Sequence, residues 1–140
     1  MLDITHFATL SGKWLAIIAA LTSLLMAPVR AEEAGPTYMD LEPSFTINYG
    51  QDNRLRYLQT NISLLVPSNA ATLEVSAHSD AIRHEIIMLI SAQTRETLTS
   101  TSGRNDLQQA LLEKIQAYLT LETGAPHVEQ VLFTSFVIQG

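Results

Sequence analysis

The sequence predicts an α+β domain in which two to three helices pack on a small, antiparallel-containing sheet, in the order strand, strand, helices, strand, behind an N-terminal apolar leader helix. Three observations predict it. Apolar residues alternate with a period of two between Phe45 and Val66, they recur every three to four residues between Ile82 and Tyr118, and a closing apolar run extends from Val131 to Ile138. Strands first, helices next and a returning strand last suit helices segregated to one side of a sheet.

The leader spans residues 1–31. Lys13 precedes an uncharged stretch, Trp14 to Ala27, followed by Pro28, Val29, Arg30 and Ala31. A positive charge, an apolar run and small residues spaced for cleavage are the three parts of a secretory signal peptide, so the first expectation is cleavage near Ala31. The alternative is an uncleaved membrane anchor from Trp14 to Val29, a helix of about 24 Å against a bilayer core of about 30 Å. Either outcome exports the rest of the chain. Residues 32–37, with Gly35 and Pro36, read as a linker, and residues 38–140 as the domain.

Within the domain, the strand pattern sets in at Tyr38. Phe45, Ile47 and Tyr49 alternate with Thr46 and Asn48, and Gly50 to Asn53 has turn chemistry, so a hairpin is expected. Arg54 to Val66 continues as a strand with Leu58, Thr60, Ile62, Leu64 and Val66 on one face and Tyr57, Gln59, Asn61 and Ser63 on the other. Pro67 ends it. Ala70 to Ala77 fits a helical turn or a strand extension equally well. Ser79 or Asp80 can cap a helix carrying Ile82, Ile86, Leu89 and Ile90, and the neighbouring Ile87 and Met88 predict that it is mostly buried.

Thr94 to Glu96 suggest a second, exposed helical stretch, broken by Ser102 and Gly103. A third helix is expected from Asn105, with Gln108 as capping-box partner and with Leu107, Leu111, Ile115 and Tyr118 along one side. Gly124 and Pro126 stop it. In the last segment Val131, Phe133 and Val137 share one face by parity, and Leu132, Phe136 and Ile138 share the other. Two apolar faces predict a strand in the sheet interior rather than at its edge.

Composition excludes several functions. With 8 Lys plus Arg against 14 Asp plus Glu, the 140-residue chain carries a formal charge of −6. Nucleic-acid affinity is built mainly from Lys and Arg neutralising phosphates, and an anionic lipid surface calls for a polybasic cluster; neither is present. Cysteine is absent, which removes disulfides, thiolate metal sites and a Cys nucleophile.

The remaining residues offer little chemistry. A zinc helix built on His84 and Glu85 needs a second His at position 88, which is Met88, and His78 lies too far from His84 to share its helical face. His6 and His127 have no ligand-spaced companions. Asp40 and Glu42 read as a solvated edge rather than an acid/base pair, and Asn61 to Ser63 as a chance match to the glycosylation tripeptide inside a strand. Arg54 and Arg56 are explained as strand-end charges. No phosphate loop or nucleophile elbow occurs. The expectation is therefore a non-enzymatic module with no catalytic, cofactor-binding or metal residues and no cofactor.

Three stretches of this domain resemble the flagellar basal-body-associated FliL family: Arg56 to Gln59, His78 to Ile90 (with Ile82, Arg83, Ile86 and Ile87 foremost), and Val131 to Gln139. Thr97, Leu98, Ser100, Gly103 and Leu107 resemble the family's linker and helix start. The resemblance implies a periplasmic domain similar to the stomatin and prohibitin class. It also implies self-association into rings or arcs, contact with flagellar stator or basal-body proteins, and a part in swimming or swarming. Family members usually keep an N-terminal transmembrane helix, so a cleaved leader here would leave motor localisation to protein contacts. The alternative from residues alone is a periplasmic binding or scaffold module of this fold, unrelated to motility. A small periplasmic hydrolase is a third reading, with no motif behind it.

Overall fold

The computed structural model describes residues 34–50 and 54–140; the leader, its cleavage site and its anchor alternative lie outside the described residues. Eight elements follow one another: β1 (Thr37–Asp40), β2 (Phe45–Asn48), β3 (Tyr57–Val66), α1 (Asn69–Ala77), α2 (Ser79–Ser91), α3 (Arg95–Thr99), α4 (Thr101–Thr123) and β4 (Gln130–Gln139). Among the described residues four helices stand where two to three were expected, and three strands precede them instead of two. No helix among the described residues is long and apolar enough to cross a membrane.

All pairings are antiparallel, and β3 is the hub. Its first half pairs with β2 (Phe45 opposite Thr60, Asn48 opposite Tyr57) and its second half with β1 (Asp40 opposite Ser63, Thr37 opposite Val66). The segment expected as one strand from Tyr38 is thus two short strands, separated by the Leu41 to Ser44 turn around a cis Glu42–Pro43 bond. β3 alternates as expected, with Leu58, Thr60, Ile62, Leu64 and Val66 buried and Tyr57, Gln59 and Asn61 exposed. Ser63 departs from that pattern and is buried, flanked by Asp40 and Leu132 on the neighbouring strands.

Among the described residues β4 pairs only with β3, along the side opposite β1 and β2. It is an edge strand, which corrects the expectation of an interior position. The misreading has a specific cause. Between Asn61 and Ile62 the register slips, so Asn61 faces Ser135 while Ile62 faces Phe133, and Thr134 is the extra residue of a β-bulge. A bulge shifts the alternation by one. Phe133, Phe136 and Ile138 therefore all pack towards the core, the two phenylalanines edge-on with centroids 5.1 Å apart, while Val137 is 47% exposed on the outer face.

Three of the helices begin at side-chain caps; α2 does not, because His78 stands at its N-cap with no side-chain cap bond, and Ser79 and Asp80, expected as caps, lie inside its first turn. Ser68 accepts a hydrogen bond from the Ala71 N–H at 3.2 Å, which settles the ambiguous 70–77 segment as helix α1. α2 buries the single stripe Ile82, Ile86 and Ile90; Ile87 and Met88 are 40% and 55% exposed, so the helix is not mostly buried as expected. Ser100 ends α3 and caps α4, accepting from the Gly103 N–H at 3.0 Å. Ser102 and Gly103 therefore sit in the first turn of α4 and do not break a helix.

The expected capping pair at Asn105 and Gln108 does not form, because the helix has already begun. α4 buries Leu107, Leu111, Ile115 and Leu119, with Tyr118 half-buried beside them, and Gly124 closes it in the left-handed conformation at φ 85°. α2 lies over β2 and α4 over β4, with the two helices side by side. One core fills the space between this helix layer and the inner face of the sheet.

Candidate functional site

The sequence-flagged residues scatter across this scaffold. His84 lies on α2 in an open depression with Met88, Leu89, Ala92 and Lys114, and His78 stands just before that helix with its Nδ1 3.2 Å from the Tyr118 hydroxyl of α4. The His78 and Tyr118 rings meet edge-on with centroids 5.8 Å apart. His78 therefore ties α2 to α4 rather than serving as a ligand. His127 occupies the left-handed region, φ 53°, in the loop into β4, and His6 lies outside the described residues. No group of three or more His, Asp or Glu suited to a metal exists among the described residues.

Asp40 and Glu42 are both exposed, but they do not act as a pair. Asp40 accepts a hydrogen bond from Ser63 across the β1/β3 ladder, while Glu42 sits in the turn beyond. Asn61 is exposed at the bulge on the outer face of the sheet. Arg54 is exposed, and Arg56 runs beside Gly140, where an added Cβ would lie 3.2 Å from the Arg56 Cα.

Arg83, quoted above only for its family resemblance, has a definite structural task. Its guanidinium carbon stands 4.0 Å from the Phe45 ring centroid, and Nη1 donates to the Leu41 carbonyl at 3.3 Å. A planar cation can stack and donate at once, so Arg83 fastens the β1–β2 turn onto α2. Gln116 was inconspicuous in the sequence, and Gln108 was expected only as a capping partner. Both reach from α4 to main-chain carbonyls, Gln108 to Val131 and Gln116 to Val128 at 2.7 Å, and so hold β4 beneath the helix. A glutamine on a helix face carries no sign of such a partner; only the docking of α4 over β4 creates it.

The outward surface of α2 and α4 remains. Met88 and Leu121 are exposed there, Leu121 to 82%, around an ion pair in which Lys114 Nζ is 3.4 Å from Glu85 Oε2. The pair is half exposed and adds little stability, since exposed ion pairs contribute about 0–1 kcal/mol. Apolar side chains beside a solvated ion pair have the makeup of a protein-contact surface. The depressions along it are open to solvent.

The family described as flagellar basal body-associated protein FliL matches residues 38–139. A protein of Aquifex aeolicus (strain VF5) called flagellar protein FliL is 33% identical over 111 residues, which cover 79% of this chain. The matched segment spans 66% of that relative, just under two thirds of its length.

Proposed function

The chain belongs to the FliL family of flagellar basal body-associated proteins, accessory proteins of the flagellum rather than enzymes, and from that premise we propose that it supports the torque-generating stator units in swimming or swarming. The observation that carries this reading is the extent of the match, residues 38–139, which takes in every element from β2 to β4 and most of β1. A further support is the α2/α4 surface, where Met88 and Leu121 are exposed among the described residues.

In this reading the domain acts on the periplasmic face of the inner membrane at the basal body. It resembles stomatin and prohibitin domains and self-associates into a ring or arc around the stator. Residues 1–31 supply export, either as a signal peptide released near Ala31 or as an anchor from Trp14 to Val29. Ring formation needs two complementary patches per domain, so the α2/α4 surface is one contact among several.

Deleting the gene is expected to reduce swimming most under high viscous load, where stators carry the greatest torque, and a fluorescent fusion is expected to form foci at flagellar bases. Unchanged swimming under load together with a diffuse envelope signal would overturn the reading in favour of a scaffold unrelated to motility. The intact mass of the protein purified from cells decides the fate of the leader. A chain starting at Glu32 means cleavage, and one starting at Met1 means an anchor.

A further inference from the structure

The two edges of the sheet differ in what they can accept. One edge consists of β1 and β2, four residues each, interrupted by the turn that holds Glu42 and Pro43 and bearing Asp40. Short strands, a proline and charges blunt an edge against strand addition. The other edge is β4, ten residues with neither a proline nor a charge. Leu41 N–H donates to Ile62 O and Tyr49 N–H to Arg56 O, so the even-numbered residues of β3 direct their main-chain groups towards β1 and β2, and the odd-numbered ones serve β4. Phe136 and Ile138, opposite Thr60 and Leu58, therefore point their N–H and C=O groups away from β3. Among the described residues no side chain is bonded to them, whereas the carbonyls of Val131 and Gly140 are taken by Gln108 and Arg95.

Two arginines flank this stretch from the helix layer. Arg104, on α4, holds its guanidinium carbon 5.7 Å from the centroid of the Phe136 ring, and Arg95, at the start of α3, is the donor to Gly140. Among the described residues neither is in an ion pair; Glu96 and Asp106 adjoin them in sequence, exposed and bonded to neither. In a chain with 14 Asp plus Glu against 8 Lys plus Arg, two cations without a carboxylate beside one strand edge reverse the prevailing charge locally.

We propose that the Ser135–Gln139 edge of β4 accepts an extended segment of another protein as an antiparallel strand, and that this segment carries an acidic side chain at every second position. A residue that exchanges main-chain hydrogen bonds with Phe136 also shares its face, because opposed side chains in a ladder point the same way. That face is the helix side, where Arg104 stands. A residue four positions along the segment, across from Gly140, lies about 13 Å away and meets Arg95. The intervening side chains fall on the outer face beside Val137 and suit β-branched apolar residues. Main-chain bonds supply affinity and the two arginines supply the choice of partner, since a basic segment meets like charge and a neutral one gains no ion pair. The contact goes beyond the motor role proposed above and does not rest on it.

A fluorescein-labelled peptide of four Glu-Val repeats is the probe, its anisotropy read against the full-length chain. It is expected to bind about tenfold more tightly than its Lys-Val counterpart. In the proposed register each Glu directs its N–H at β4 and each Val directs it away. Methylating the Glu amide nitrogens is therefore expected to abolish binding, and methylating the Val nitrogens to leave it within about twofold. Arg104→Gln removes a side chain with no hydrogen bond or ion pair in the fold, and is expected to weaken the Glu-Val peptide about fivefold without weakening the Lys-Val peptide. Absence of binding overturns the proposal. Equal effects of the two methylation patterns overturn it as well, because they mean attraction to charge without strand addition, and so does an unchanged affinity of Arg104→Gln, which means strand addition without selection for acid. A signal that falls again as the chain is concentrated means that a second copy takes the edge, which overturns it too.

Discussion

Replacing Gly103 with alanine sets two effects of opposite sign against each other. Gly103 is the third residue of α4, and in an unobstructed helix alanine is favoured over glycine by about 1 kcal/mol. Here a Cβ would lie 2.3 Å from the Thr97 carbonyl oxygen, 2.6 Å from Ser100 Oγ and 2.8 Å from the Thr97 Cα. Two of those three atoms are backbone, so relief requires the α3–α4 corner to open.

Forcing a methyl group into a packed site costs about 1–3 kcal/mol, and displacing Ser100 Oγ loosens the α4 cap, which contributes about 1 kcal/mol. The net effect is a destabilisation of about 1–3 kcal/mol, with the helical preference of alanine outweighed. For a domain of this size each kcal/mol lowers Tm by at least about 4 °C. Urea unfolding followed by far-UV circular dichroism, with Gly35→Ala as control, measures it. Gly35 has nothing within 4 Å of an added Cβ, so that variant should match the parent. An unchanged or higher midpoint for Gly103→Ala refutes the claim that the corner is closed by backbone contact.

Two further substitutions probe the core and the bulge. Ile86 is fully buried while its neighbour Ile87 is 40% exposed, so Ile86→Ala should destabilise by about 2–5 kcal/mol and Ile87→Ala by much less; equal effects would contradict the orientation of α2. Thr60 is buried with its hydroxyl donating to the Ser135 carbonyl at 2.6 Å, so Thr60→Val keeps the shape and should cost about 1–2 kcal/mol with faster amide exchange around the bulge; unaltered exchange there would show that this bond does not hold the bulge.

Much of this protein was settled by local sequence. The inner face of β3, the apolar stripes of α2 and α4 and the stop at Gly124 follow from periodicity and turn residues, which act over a few neighbouring positions. The three stretches that carry the family resemblance were also legible, and the family match covers all of them. Other features required the tertiary structure. Whether Ile87 and Met88 are covered depends on what lies beyond α2, and whether Gln108 holds a strand depends on where α4 docks. Position in a sheet is likewise a property of partners: β4 has apolar side chains at positions of both parities, but among the described residues β3 alone pairs with it, and a bulge opposite Asn61 and Ile62 gathers Val131, Phe133, Phe136 and Ile138 on one face. A one-residue slip in a ladder is invisible along a single strand, because the energy that selects it comes from hydrogen bonds and burial contributed by residues some 70 positions away.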